Sequence, residues 1–250
     1  MFPVLHVGRV AIQTPGLIVI LGLAIGLNLA EKYFLKVGLQ PAKAYALVTI
    51  GLIAAAIGGR LAYAIENLSA FAASPASLFS LNLSLWDPAG GVLLGLAGSI
   101  AYGLRQRLNF RALLDSLTPT LAVMMMAIDL ANLASGSAFG EPARLPWSIF
   151  LWGEWRHPTQ IYEALGAIGV LMWVTWRFSR IYSDNLSQSA WPGLFLEFAA
   201  WSAGLRIFLE TFRADSSLLF GQFRAAQVVA WIILAVALWL RGRRSIQPRA

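Results

Sequence analysis

The stretch from Trp191 to Ala214 reads WPGLFLEFAAWSAGLRIFLETFRA. About 20 mostly apolar residues suffice to cross a bilayer as a helix, so the stretch reads as a membrane helix. It nevertheless carries Arg206, Glu210 and Arg213. The i, i+4, i+7 spacing predicts that all three share one helix face. An ionisable group inside a bilayer costs roughly 2.5–3.5 kcal/mol on insertion scales, so such groups face a protein interior or a wet cavity and mark function. Two guanidiniums around one carboxylate predict surplus positive charge, which suits an anion such as a phosphate headgroup.

The rest of the chain agrees with a membrane setting. Its 250 residues are 58% hydrophobic and 12% charged, against about 25% charged in soluble domains. The net charge of +7 is assigned to loop Lys and Arg on one side of a membrane rather than to nucleic-acid binding. The absence of cysteine excludes disulfides, thiolate nucleophiles and Cys-ligated metals. His6 and His157 are the only histidines, too few for a multi-His metal centre. No basic n-region with a cleavage site frames the first apolar run, so no cleaved signal peptide is expected.

The expected fold is an all-α integral membrane protein in one domain over residues 1–250, with about seven spans at 15–35, 43–66, 88–104, 111–136, 157–179, 190–213 and 218–240. The uncharged segment 68–86 is expected to be interfacial or re-entrant, and 137–156 an outer loop. Residues 32–43, 105–111, 177–180 and 241–249 hold 12 of the 19 basic residues. Lys and Arg concentrate on the cytoplasmic side, which predicts an outside N-terminus and a cytoplasmic C-terminus.

That orientation gives depth. Arg60, Asp129 with Asn132, His157 with Gln160 and Glu163, Arg206 with Glu210 and Arg213, and Arg224 with Gln227 all fall in the outer parts of their spans. Five helices thus point to one polar, lipid-accessible cavity. Snorkelling or structural pairing is the competing reading for Arg60, Arg213 and Arg224. Glu210 is expected to partner Arg206, and Asp129 to pair with an arginine across helices. Gly90, Gly91, Gly95 and Gly98 offer either tight helix packing or a lipid slot. Glu197 has no partner evident in the sequence.

Several motifs resemble the prolipoprotein diacylglyceryl transferase family. HPTQIYE at 157–163 and RIFLETFR at 206–213 are similar to its HP(S/T)Q(L/I)YE signature and R-x-x-x-E-x-x-R helix. Gly59 to Tyr63 resembles its GRxxY, Trp86 with Gly90-Gly91 its W-x-GG, Asn132 with Gly136 to Gly140 its GRxGNFxNGxxxG region, and Phe2-Pro3 with Gly16-Leu17 its opening. The chain departs from the pattern at Asp129, where the family has arginine, and at Gly95 to Gly98, where no histidine stands. Pro15 replaces a first-span tyrosine, and Ser135 and Ser137 replace Asn and Glu.

The resemblance implies transfer of a diacylglyceryl group from phosphatidylglycerol to the lipobox cysteine thiol of a preprolipoprotein signal peptide, releasing glycerol phosphate, in a bacterial plasma membrane. It implies no nucleotide, metal or other cofactor. A departing phosphate needs cationic stabilisation, assigned to Arg206 and Arg60 with Arg213 or Arg224 assisting. His157 is the imidazole available to take the thiol proton, unless it serves only to open its helix. Asn132, Gln160, Tyr162, Glu163, Glu210, Arg213, Gly91, Gly95 and Gly140 are assigned to lipid contact. Two other classes remain open: a relative that binds lipid without transferring it, and a small lipid transporter.

Overall fold

A computed structural model of the chain describes residues 4–7, 10–80, 85–183 and 193–245. Phe2, Pro3, Trp191 and residues 81–84 of the expected interfacial segment lie outside the described residues. The elements are β1 (Val4–Val7), β2 (Val10–Gln13), α1 (Thr14–Lys36), α2 (Pro41–Glu66), α3 (Leu68–Ala73), a 3-10 turn (Pro75–Phe79), α4 (Pro88–Arg105), α5 (Phe110–Ser135), β3 (Ile149–Leu151), β4 (Glu154–Arg156), α6 (Thr159–Ser183), α7 (Leu194–Leu209), a 3-10 turn (Glu210–Phe212), β5 (Leu218–Leu219), β6 (Phe223–Arg224) and α8 (Ala225–Ser245). The protein is an all-α membrane protein. α1, α2, α5 and residues 225–243 of α8 are each long and apolar enough to cross a bilayer.

Helix starts follow local chemistry. Pro41 and Pro88 open α2 and α4, where the missing N–H costs nothing. The Asp87 carboxylate accepts from the Gly90 N–H at the α4 N-terminus, and Asn109 Oδ1 accepts from the Arg111 N–H at 3.1 Å to start α5. Three antiparallel hairpins pair β1 with β2, β3 with β4 and β5 with β6, none of them expected from the sequence. In the second, Trp152 and Gly153 form a two-residue turn with φ of 55° and 83°. Two left-handed residues in succession match the twist of a tight hairpin.

Two spans need correction. The expected helix 190–213 is α7, which ends at Leu209 before the 3-10 turn, and Arg213 is extended with φ −85° and ψ 138°. Arg213 therefore leaves the helix face that the spacing predicted. The expected span 218–240 begins instead with the β5–β6 hairpin, so Arg224 precedes α8 rather than lying within it.

The chain forms two compact units, residues 37–113 and residues 1–36 with 114–250. In the smaller unit, α2 and α4 pack through small residues. A Cβ on Gly95 would lie 2.9 Å from Ala55 Cβ and 3.1 Å from the Gly51 carbonyl, and one on Gly98 would lie 2.8 Å from Ala54 Cβ. A Cβ on Gly59 or Gly91 would enter the Trp86 ring. The Trp86 indole donates to the Ala56 carbonyl at 3.3 Å, and the Asp87 N–H donates to the Gly59 carbonyl at 2.9 Å. Gly91 and Gly95 thus face protein, and tight helix packing rather than a lipid slot accounts for them.

In the larger unit, Thr120 Oγ1 of α5 donates to the Gly26 carbonyl of α1 at 2.8 Å. Buried Asp115 accepts from the Phe195 N–H at 2.8 Å, anchoring the start of α7 on α5. Glu197, 4% exposed, receives the Trp173 indole at 3.3 Å and lies 3.5 Å from Arg177 Nε and 3.2 Å from Arg241 Nη2. That cluster ties α6, α7 and α8 together at the end remote from Arg206, and supplies the partners that the sequence left unassigned.

Gly59→Ala should displace Trp86 from α2 and lower stability by about 1–3 kcal/mol, as overpacking does. Thermal unfolding in detergent, followed by tryptophan fluorescence, reads both effects.

Candidate functional site

Residues of α5, α6, α7 and α8 enclose a cavity of about 480 Å³. Phe195, Phe198, Ser202, Arg206 and Leu209 line it from α7, and Ala226, Val229, Ala230 and Ile233 from α8. Both sets recur at three- and four-residue intervals, so each is one helix face. The walls are apolar along these faces. At one end stand Arg206, Glu163 of α6 and Asp129 of α5.

The charged end is a network. Arg206 Nη1 donates to Glu163 Oε1 at 2.8 Å, and its Nε lies 2.9 Å from Glu210 Oε2. The second contact is an ion pair in distance only, since Glu210 Oε2 has no aligned hydrogen-bond donor. Glu163 and Glu210 are 4% and 1% exposed, while the Arg206 side chain is 35% exposed. Arg206 is the part-exposed member and the carboxylates are the buried ones. Arg213 Nη1 stands 3.6 Å from Glu163 Oε1. Its Nε and Nη2 donate to Asp215 Oδ1 at 3.1 and 2.9 Å.

Backbone pairing, not helical phase, carries Arg213 there. Gly140 and Arg213 form an antiparallel bridge. The Ala214 N–H donates to the Phe139 carbonyl at 3.0 Å, and the Glu141 N–H to the Phe212 carbonyl at 2.8 Å. Gly140 is required because a Cβ would lie 2.6 Å from His157 Cβ and collide with the His157 carbonyl. Arg224 closes the turn: its Nη1 donates to the Glu210 carbonyl and, at 2.5 Å, to the Arg213 carbonyl. Its Nη2 lies 3.4 Å from Glu141 Oε1. Ser216 Oγ donates to Glu210 Oε1 at 2.6 Å.

The HPTQIYE segment frames the same end. Gln160, fully buried, donates from Nε2 to the Ser137 carbonyl at 2.8 Å, and Thr159 Oγ1 donates to the Ala138 carbonyl at 2.6 Å. Ala138, with φ 58°, also donates its N–H to Asp215 Oδ2 at 2.7 Å. These bonds hold the 137–141 loop against the start of α6. Tyr162 receives the Trp147 indole N–H at 2.7 Å. His157 Nδ1 is 3.4 Å from the Tyr162 hydroxyl, and its ring packs 5.3 Å from that of Phe212. The histidine belongs to this aromatic cluster and does not line the cavity. Asn132 likewise is outside the lining, and its carbonyl accepts from the Gly136 N–H at 2.8 Å at the end of α5.

Arg60 belongs to the smaller unit. Its Nε donates to the Leu78 carbonyl at 3.1 Å and its Nη1 to the Leu85 carbonyl at 2.6 Å. It therefore holds the segment that follows α3.

Two expectations about charge change. Arg206, Arg213 and Arg224 face Glu141, Glu163, Glu210, Asp215 and Asp129. Carboxyls outnumber guanidiniums, so the expected positive surplus is absent. The sequence missed Glu141 and Asp215 because loop residues brought in by backbone pairing carry no helical spacing. Asp129, expected to pair with an arginine across helices, makes no ion pair within 4 Å among the described residues, although Arg206 and Arg213 as well as Glu163 stand close enough to act on its charge. The cavity-lining apolar residues were also missed, because lipid-facing and cavity-facing apolar positions look alike in sequence.

A cavity with apolar walls and one ionic end, set among membrane helices, defines a protein that handles an amphiphile within the bilayer. The chain belongs to the prolipoprotein diacylglyceryl transferase family, whose description matches residues 3–241. A phosphatidylglycerol–prolipoprotein diacylglyceryl transferase of Synechococcus elongatus is 26% identical, covering 97% of this chain and 88% of the relative. One of Methylococcus capsulatus is 32% identical over 76% of this chain and 74% of the relative, and one of Gloeobacter violaceus 28% identical over 99% and 95%. The family consists of transferases acting in lipoprotein biosynthesis.

Gly140→Ala should break the Gly140–Arg213 bridge and cost about 1–3 kcal/mol by overpacking. Limited proteolysis between residues 137 and 224 should accelerate in step with a lower unfolding temperature.

Proposed function

We propose that this protein transfers a diacylglyceryl group from phosphatidylglycerol to the lipobox cysteine thiol of a preprolipoprotein signal peptide. The observation that carries this reading is the cavity itself, with Arg206 at the ionic end and Phe198, Val229 and Ile233 along the apolar walls. A lipid headgroup and an acyl chain need those two environments side by side. Arg206 is part-exposed at the cavity, and its planar fork can receive phosphate oxygens in pairs. As the carbon–oxygen bond to phosphate breaks, negative charge grows on the departing oxygen, and a cation already in place lowers that barrier. Arg224 holds the turn after α7, Arg213 approaches Glu163, and Glu163 of α6 and Glu210 of that turn position Arg206. Glu163, Gln160 and Gly140 set the wall behind it, Tyr162 and His157 its aromatic flank, and Asn132 the end of α5.

The chain is one membrane domain of a bacterial plasma membrane in this reading. Seven helices cross, the N-terminus is outside, residues 68–86 lie at the interface, and the ionic end of the cavity opens to the outer leaflet. The asymmetric distribution of Lys and Arg supports that direction. Because the chain contains no cysteine, single cysteines placed at positions 107 and 154 should react with impermeant maleimide only from the inside and only from the outside of cells, respectively.

Purified protein in nanodiscs containing labelled phosphatidylglycerol should lipidate a lipobox peptide and release glycerol phosphate. Arg206→Ala should reduce transfer by about 100-fold or more, the scale of removing one group that stabilises developing charge. Arg206→Lys should recover only part, because an ammonium lacks the bidentate fork. Phosphatidylglycerol binding with no transfer by the unaltered protein would instead support a lipid-binding relative.

A further inference from the structure

We propose that Asp129 takes the proton of the incoming thiol. This rests on the transfer reaction proposed above and names the base that it requires. A thiol must lose its proton to act as the nucleophile. His157 is the obvious imidazole, but it sits in the cluster of Tyr162 and Phe212 and away from the cavity lining. Asp129 lines the cavity, is 7% exposed, and makes no ion pair among the described residues. It is the carboxyl at the ionic end that no guanidinium occupies.

A second observation comes from Glu163. Its Oε1 is taken by Arg206 at 2.8 Å and approached by Arg213 at 3.6 Å, while its Oε2 is buried without a donor. Asp129 stands at the same end of the cavity, so with Arg206 and Arg213 engaged on Glu163 it is the carboxyl left open to an incoming proton. Ser202 Oγ, also lining the cavity, is buried without a partner, so the cavity offers a further polar contact to whatever enters.

The step balances. The thiol proton passes to Asp129, sulfur bonds to the glyceryl carbon of the lipid, and the carbon–oxygen bond to phosphate breaks with its electron pair going to phosphate. Glycerol phosphate leaves with one more negative charge than the lipid carried. Proton uptake neutralises Asp129 at the moment that charge appears. The carboxyl excess that competes for Arg206 in the resting site is thereby reduced, and the guanidinium becomes available to the departing phosphate. The proton returns to water afterwards. The charged groups facing Asp129 are Glu163 from α6, Arg206 from α7 and Arg213 from the turn that follows α7; α8 presents only Ala226, Val229, Ala230 and Ile233.

The test uses the full chain in phosphatidylglycerol nanodiscs with two peptides, one bearing the lipobox cysteine and one bearing selenocysteine at that position. A selenol is already ionised at neutral pH and needs no base. Asp129→Asn keeps the size and polarity of the side chain, so the fold and lipid binding should persist. With the cysteine peptide at pH 7 its transfer rate should fall about 100-fold or more, the usual weight of a positioned base. It should then climb as pH approaches the thiol's own ionisation near 8.5. With the selenocysteine peptide most of the defect should vanish, and Asp129→Glu should restore part of the cysteine rate. Equal loss with both peptides, or a cysteine rate close to that of the unaltered protein, would overturn the assignment of Asp129. Absence of transfer by the unaltered protein with either peptide would refute the reaction itself, and the base with it.

Discussion

The structure around the cavity depends on the buried Glu163–Arg206–Glu210 contact. Two carboxylates almost free of solvent are held by one guanidinium that reaches the cavity. Removing one partner from a buried ion pair typically costs about 3–5 kcal/mol, because the remaining charge is left without compensation. α6 and the end of α7 are therefore held where one guanidinium reaches both carboxylates. The adjoining turn adds to it: Ser216 and Arg224 bind Glu210, and the Gly140–Arg213 bridge draws the 137–141 loop to the same place.

That arrangement separates two tasks along the same helices. Near Arg206 the contacts are ionic and shaped to accept an anion in exchange for a carboxylate. At the other end, Glu197 binds Trp173, Arg177 and Arg241 and fixes the spacing of α6, α7 and α8. Between the two clusters α7 and α8 meet through apolar faces, and the cavity occupies the gap. Ionic clamps at both ends let the middle remain open without loss of register, which a lipid-sized substrate requires.

Much of the helical architecture was legible. Long apolar runs marked the helices, because hydropathy is a local property. Gln160, Glu163, Arg206 and Glu210 were legible as polar groups that must find protein partners, since charge and amide groups in apolar helices have few alternatives to a protein interior. The hairpins at 149–156 and 218–224 were not. Short strands rich in apolar and aromatic residues have the composition of membrane segments, and only their left-handed turn residues distinguish them. Arg213 was named for a helical spacing that it does not have, yet it reaches Glu163 through strand pairing.

The amino-acid sequence alone determined that this chain lives in a membrane, that its charged residues are few, and that it carries the family's HPTQIYE and RIFLETFR segments. Those are properties of composition and short-range order. Tertiary structure decided which charges meet. It placed Asp129 among Glu163, Arg206 and Arg213 without an ion pair within 4 Å among the described residues, moved His157 into an aromatic cluster, gave Arg60 to backbone carbonyls and turned Gly91 and Gly95 toward neighbouring side chains. Coulomb energy and desolvation depend on distances between residues far apart in the chain, and only the folded arrangement of helices and loops sets those distances.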